Sequence, residues 1–258
     1  MIFCFTGTGN SLHVADRIAK QIHDRIVMMT EAELQQKKEY RIGDHERIGF
    51  VFPIYWWGMP KEVERFINNC KITVEKPTYV YAVCTYGLAG KNGMDDLKSA
   101  LSNHGLQLDL TCEVKMVDNY VVGYALADAG KQRKILLEAE TEIEKILQKI
   151  ADNKKEYIVD RKRIIKPAVH SFYKRKDHRH SFRVDDTCIG CGKCERECPS
   201  SAIRIIDQQP VWVSDCSFCL KCIHSCPKEA IQYGKTAGRK RYHYGLKENI
   251  TAPEHAEK

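Results

Sequence analysis

The chain has 258 residues, of which 43% are hydrophobic and 29% charged, ordinary values for a globular protein whose length fits two domains. Its formal charge is +7 and it carries 12 cysteines, the one unusual feature. Composition excludes a collagen-like or disordered chain, and no apolar run reaches the ~18 residues of a membrane span.

Residues 1–150 alternate β-like runs with helical patterns. Strands are expected over 2–5, 25–29, 47–52, 79–85 and 108–117, and helices over 11–22, 61–69, 94–103 and 131–150. The last helix is the clearest, with Ile135, Ala139, Ile143, Ile146, Leu147 and Ile150 on one stripe among Glu and Lys. Continuous apolar strands separated by helices imply right-handed βαβ crossovers and a parallel sheet covered on both faces. The expected fold class is therefore α/β, a doubly wound parallel sheet over residues 1–152.

Residues 153–183 hold 11 basic against 3 acidic side chains. Nucleic-acid binding is the functional reading of such a run, but no nucleic-acid motif accompanies it, so it reads as a solvated basic linker, with balancing of anionic cofactors or docking of an acidic partner as a third reading; no nucleic-acid partner is expected. A second basic segment, the tail over 236–258, closes the chain. Met1 leads straight into an apolar strand without the basic and apolar regions of a secretory leader, so the thiols are expected to be reduced and the protein cytoplasmic.

An internal repeat occupies residues 184–235. Cys188, Cys191, Cys194 and Cys198-Pro199 recur 28 residues later as Cys216, Cys219, Cys222 and Cys226-Pro227, and Ala202-Ile203 recurs as Ala230-Ile231. A half-domain this short cannot fold on its apolar surface alone. Two runs of C-x2-C-x2-C-x3-C-P match the pattern that holds two [4Fe–4S] clusters, in which the fourth cysteine of each run ligates the other cluster. One set is thus Cys188, Cys191, Cys194 and Cys226, and the other Cys216, Cys219, Cys222 and Cys198. Zinc is disfavoured because three cysteines crowd within seven residues, twice, where a tetrahedral ion takes two separated pairs. Cys4, Cys70, Cys84 and Cys112 read as small buried hydrophobes.

After the first strand, Thr6-Gly7-Thr8-Gly9-Asn10-Ser11 opens a helix, a geometry that aims backbone N–H groups at an anion. Leu12 breaks a dinucleotide fingerprint and no lysine completes a P-loop, which leaves hydroxyls and an amide suited to a terminal phosphate. Two further loops lie at the same carboxyl edge of the sheet, Pro53-Ile54-Tyr55-Trp56-Trp57-Gly58 and Thr85-Tyr86-Gly87, the latter running on through Leu88-Ala89-Gly90-Lys91. Together the three loops suit a flat, aromatic, phosphate-bearing ligand such as a flavin.

On these residues the first 150 positions resemble a short flavodoxin-like domain, and residues 184 to about 235 a bacterial two-cluster ferredoxin, a small α+β domain. The whole order is similar to the flavodoxin–ferredoxin fusion proteins found mainly in anaerobic bacteria and archaea. Asp118-Asn119-Tyr120 and Arg241-Tyr242-His243 share that likeness. The resemblance implies FMN, with Thr6, Thr8, Gly9, Asn10 and Ser11 at its phosphate and residues 53–58 and 85–87 around its ring. Ser11 stands where flavodoxins usually carry Thr, and the third loop has no acid where many flavodoxins place negative charge near the flavin.

Clusters move one electron at a time and FMN one or two, so the combination reads as a converter serving a redox protein or a small electron acceptor. The alternative is an FMN-dependent reductase of a quinone, nitro or other unsaturated compound. No second nucleotide fingerprint for NAD(P)H is present.

Overall fold

The computed structural model describes residues 1–43, 46–88, 90, 93–158 and 166–245, with the side chains of 166 and 167 excepted. Ala89 and Lys91 of the third loop, and residues 246–258 of the tail, lie outside the described residues.

Five strands form the main sheet: β1 (Ile2–Cys4), β2 (Ile26–Met28), β4 (Ile48–Pro53), β6 (Val80–Tyr86) and β7 (Leu110–Lys115). Their order is β2-β1-β4-β6-β7 and every pairing is parallel. Side chains alternate between faces. Phe3, Phe50, Phe52, Ala82 and Cys84 enter one core with Val63 and Phe66 of α3 (Lys61–Asn69) and Leu97 of α4 (Met94–Ser102). Ile2, Cys4, Val51 and Val83 enter the other with Val14 and Ile18 of α1 (Asn10–Ile22) and the stripe of α5 (Ala129–Ala151). Both faces are therefore buried, which is why the strands read as unbroken apolar runs.

Three short elements were not visible in the sequence pattern. Helix α2 (Glu31–Gln36) starts at Thr30, whose side chain accepts from Glu33 N–H, while β3 (Glu39–Ile42) and β5 (Lys71–Val74) pair in parallel as a separate ribbon. Their few buried positions are too short a signal for periodicity to register.

The basic connector is more structured than its charge suggests. At its start the Thr111 amide donates to the Glu156 carbonyl at 2.8 Å, so this segment runs beside β7. Further on, α6 (Lys166–Arg175) buries Tyr173 completely and His170 nearly so, and His178 is buried beyond it. The remaining elements build a small α+β lobe: β8 (Phe182–Val184) pairs antiparallel with β11 (Ile231–Tyr233), β9 (Ile203–Ile206) with β10 (Gln209–Trp212), and α7 (Lys193–Arg196) and α8 (Lys221–Ser225) follow the cysteine loops. No described helix is long and apolar enough to cross a membrane.

Candidate flavin cleft and iron–sulfur lobe

The three carboxyl-edge loops converge on one cleft of about 270 Å³. Thr6, Thr8, Asn10 and Ser11 line it from the first loop, Pro53, Ile54, Tyr55, Trp56 and Trp57 from the second, and Thr85, Tyr86 and Gly87 from the third. Gly9 and Gly58 do not line it; each lies behind its loop, where another segment presses on it. A Cβ on Gly9 would stand 3.0 Å from Tyr244 Cβ, and one on Gly58 2.5 Å from the His170 ring. Glycine is required at both by close approach, and at Gly9 also by φ +95°.

The first loop fits a phosphate. Gly9 caps α1, no acidic side chain sits in the first turn of that helix, and the partial positive charge of its N-terminus is unopposed there. Ser11 Oγ lies 2.7 Å from Thr85 Oγ1, and the Asn119 amide donates to Thr8 Oγ1.

The second loop is a tight hairpin. Tyr55 and Gly58 exchange both backbone hydrogen bonds at 3.0 Å, with Trp56 and Trp57 between them at φ 48° and 60°. Positive φ at both central residues is the geometry of a type I′ turn, which Asn-Gly normally supplies. Two tryptophans there cost about 1–3 kcal/mol each in backbone strain. Trp56 is held by Tyr173, parallel to it at 6.4 Å, and by Tyr120, edge-on to it at 5.8 Å.

Several wall residues were not identified from sequence. Val117, Asp118, Asn119, Tyr120 and Tyr124 follow β7, and Phe218, Cys219 and Leu220 arrive from the cysteine lobe. Asp118 supplies the acid that the third loop lacks. Burial raises the Tyr124 hydroxyl, and its hydrogen bond to Asp118 raises it further. The string Asp118-Asn119-Tyr120 was the available signal, although its link to the cleft depends on the turn after β7.

The cysteines of the repeat lie in two neighbouring groups. Cys188, Cys191, Cys194 and Cys226 all line one small cavity. In the other set, burial raises Cys222 well above an ordinary thiol, and Cys216, Cys219 and Cys198 act on it next as charged neighbours. Backbone amides already point at sulfur in both halves, Ala202 N–H to Cys198 Sγ at 3.3 Å and Ala230 N–H to Cys226 Sγ at 3.4 Å. These equivalent bonds place thiolate-stabilising donors where cluster sulfurs need them. Among the described residues, no three His, Cys, Asp or Glu side chains converge as ligands of a single ion do. A donor set of thiols alone fits iron–sulfur ligation. The remaining cysteines, Cys4, Cys70, Cys84 and Cys112, are all buried, and burial pushes the Cys70 and Cys112 thiols up to about 12.

A five-stranded parallel sheet in this order, open at its carboxyl edge and joined to a duplicated cysteine lobe, defines an α/β flavoprotein fold carrying an iron–sulfur module. Residues 1–116 match the family model of the flavodoxin domain, and residues 187–231 that of the 4Fe-4S dicluster domain. The chain is thus a fusion of a flavodoxin domain with a C-terminal 4Fe-4S ferredoxin domain. Distant likenesses in solved structures include the Trp repressor binding protein of Bacillus subtilis, at 12% identity and TM-score 0.36 over 57% of this chain and 96% of that one. Megasphaera elsdenii flavodoxin has 18% identity and TM-score 0.31 over 44% and 85%. An FMN-dependent NADH-azoreductase from Bacillus anthracis has 12% identity and TM-score 0.35 over 58% and 97%. No curated protein matches the chain.

Proposed function

We propose that the protein transfers electrons between two [4Fe–4S] clusters and one FMN for a redox partner in the cytoplasm. Its domains would be residues 1–152 for FMN, 153–183 as the connector, 184–235 for the clusters and 236–258 as the tail. The observation that carries this reading is the position of Cys219, a residue of the second cysteine set that also lines the cleft. Its carbonyl lies 2.8 Å from where a Gly7 Cβ would stand, so the cluster loop and the phosphate loop are packed together. When bound, the clusters supply one-electron and the flavin one- or two-electron chemistry.

The chain's own residues do the positioning. The hydroxyls of Thr6, Thr8 and Ser11 and the amide of Asn10 would hold the phosphate, while Tyr55, Trp56, Trp57 and Tyr86 would wall the ring. Phe218 and Leu220 would close the side next to the clusters and exclude water. Cys188, Cys191, Cys194 and Cys226 would hold one cluster, and Cys216, Cys219, Cys222 and Cys198 the other.

Anaerobic purification with iron, sulfide and flavin measured on one sample tests the reading. About eight iron, eight sulfide and one FMN per chain are expected. Zinc in place of iron, or iron without flavin, would overturn it.

A second reading, reduction of a small unsaturated acceptor at the flavin, is favoured by the apolar lip of the cleft, where Leu88 is 79% and Tyr124 40% exposed. Saturable turnover with structural selectivity among acceptors would establish it; turnover without selectivity would leave the transfer role.

A further inference from the structure

The last described segment, residues 236–245, follows the ferredoxin half in sequence, yet it lies against the phosphate loop of the other half. Its root is fixed in the cysteine lobe. Arg241, largely buried, donates to Gln232 Oε1 at 2.9 Å and to the Ile231 carbonyl at 3.4 Å. Arg239 donates to the Val121 carbonyl at 2.5 Å.

Beyond that root, two contacts meet the loop itself and a third meets the helix it opens. The Tyr244 amide donates to the Thr8 carbonyl at 2.8 Å, the Tyr242 hydroxyl donates to Asn10 Oδ1 at 2.7 Å, and the Tyr244 ring stacks on His13 of α1 at 4.2 Å. Tyr244 is also the neighbour that leaves no room for a side chain at Gly9. Asn10 is held from its other end, since its amide donates to the Val117 carbonyl at 3.0 Å.

A second line of contacts reaches the same loop through His224, between Cys222 and Cys226. Its Nδ1 accepts the Tyr242 amide at 3.0 Å, and its Nε2 donates to the Asn119 carbonyl at 2.9 Å. Only a neutral ring with its proton on Nε2 makes both bonds. Asn119 in turn donates to Thr8 Oγ1. Thr8 and Asn10 are thus each fixed from two directions, by groups with no place in the sheet.

We propose that Tyr242 and Tyr244, with His224 behind them, form a clasp that holds the phosphate loop in its binding conformation, so that tight FMN binding depends on the docked C-terminal segment. The proposal rests on the FMN reading above. The clasp residues are positioning residues: they act on the loop, and the loop acts on the phosphate. Preorganising Thr8 and Asn10 before the ligand arrives removes an ordering cost that binding would otherwise carry.

The test uses the full chain, purified anaerobically and freed of flavin, with Tyr242→Phe and Tyr244→Pro as variants. Tyr242→Phe removes one hydroxyl, and Tyr244→Pro removes the amide that Thr8 accepts. The FMN dissociation constant is read from quenching of flavin fluorescence, and amide hydrogen exchange over residues 6–11 is measured without flavin. Loss of one hydrogen bond corresponds to about fivefold weaker binding for Tyr242→Phe, with a loss of about tenfold or more for Tyr244→Pro. Exchange over residues 6–11 should quicken while iron content stays at the parent level. FMN affinities within about twofold of the parent, with unchanged exchange, would overturn the clasp. A parent chain that binds no FMN would overturn the flavin reading instead, and the exchange data alone would then decide the clasp. If Tyr244→Pro does not fold, Tyr242→Phe decides it.

Discussion

The hydroxyl of Tyr173 donates to the carbonyl of Ser217 at 3.0 Å, joining the connector to the residue between Cys216 and Phe218. The same hydroxyl accepts the Lys61 amide at 3.4 Å at the start of α3, and the ring above it lies parallel to Trp56. One fully buried side chain therefore touches the cysteine lobe, the sheet domain and the tryptophan turn. Burial raises its hydroxyl well above the usual tyrosine range, in keeping with its role as a donor.

Tyr173→Phe should keep the ring contacts and leave the Ser217 carbonyl and Lys61 amide without this partner, at a cost of about 1–3 kcal/mol. Tyr173→Ala should cost about 3–5 kcal/mol because it also empties the site. Thermal unfolding of the iron-loaded chain checks both. Equal losses in the two variants would mean that the ring contributes nothing to the junction.

The tryptophan turn separates strain from function. Trp57→Gly places the preferred residue at φ 60° and should hold or raise the unfolding temperature, while weakening FMN binding by about tenfold or more as an aromatic wall is lost. Gly58→Ala should act oppositely: its new Cβ must displace the His170 ring, at a cost of about 1–3 kcal/mol. Melting curves and flavin titrations on the two variants check this, and destabilisation by Trp57→Gly would refute the strain argument.

Much of this arrangement is legible in sequence, and the part that is not has a common physical cause. Strand–loop–helix order, apolar continuity and the cysteine spacing are local patterns, so the sheet, the three carboxyl-edge loops and the duplicated cysteine repeat could be read directly. Helix α6 was hidden because basic residues surround His170 and Tyr173, and a charged run reads as solvated unless its few apolar positions meet a surface made elsewhere. The contacts of Asn10 with Tyr242 and of Gly7 with Cys219 link residues more than two hundred positions apart. No local periodicity encodes such pairs.

His178 makes stability depend on pH. Its ring stacks on Phe218 at 3.8 Å, Nδ1 lies 3.0 Å from the Tyr233 hydroxyl, and burial pushes its pKa from 6.5 down to about 4, helped by Lys176 and Lys61 and opposed by Asp177 and Asp215. As pH falls from about 6.5 to about 4, the unfolded chain takes up a proton that the folded chain refuses, so stability declines across that window and this contribution levels off below it. Between about pH 7.5 and 5.5 the decline amounts to about 1 kcal/mol. His178→Gln should flatten this part of the profile, read as the change in unfolding temperature with pH for parent and variant. An unchanged slope would assign the acid sensitivity to other groups.

The two halves of the cysteine repeat solve one backbone problem differently. Positions 28 residues apart need left-handed backbone, and the first half supplies Gly190 at φ 62° and Gly192 at φ 71°. The second half places Phe218 at φ 53° and Leu220 at φ 59° in the same geometry, which strains bulky residues by about 1–3 kcal/mol each. The half that uses glycine lines its own small cavity, whereas the half that uses Phe218 and Leu220 turns those side chains into the flavin cleft and the junction core. The strain is offset by burial that glycine could not provide. Phe218→Gly should relieve about 1–3 kcal/mol of strain and forfeit about 3–5 kcal/mol of ring burial, a net loss of about 2 kcal/mol. It should also open the cleft to water next to Cys219, so that flavin fluorescence is less quenched on binding. Unfolding temperature and flavin quenching, measured beside Gly190→Ala in the other half, separate the effects. Gly190→Ala should destabilise without touching the flavin signal, because the atoms nearest its Cβ belong to Gln208, the carbonyl at 3.0 Å and the Cβ at 3.2 Å. A Phe218→Gly chain as stable as its parent, with unaltered quenching, would show that the side chain is carried there without structural or cofactor benefit.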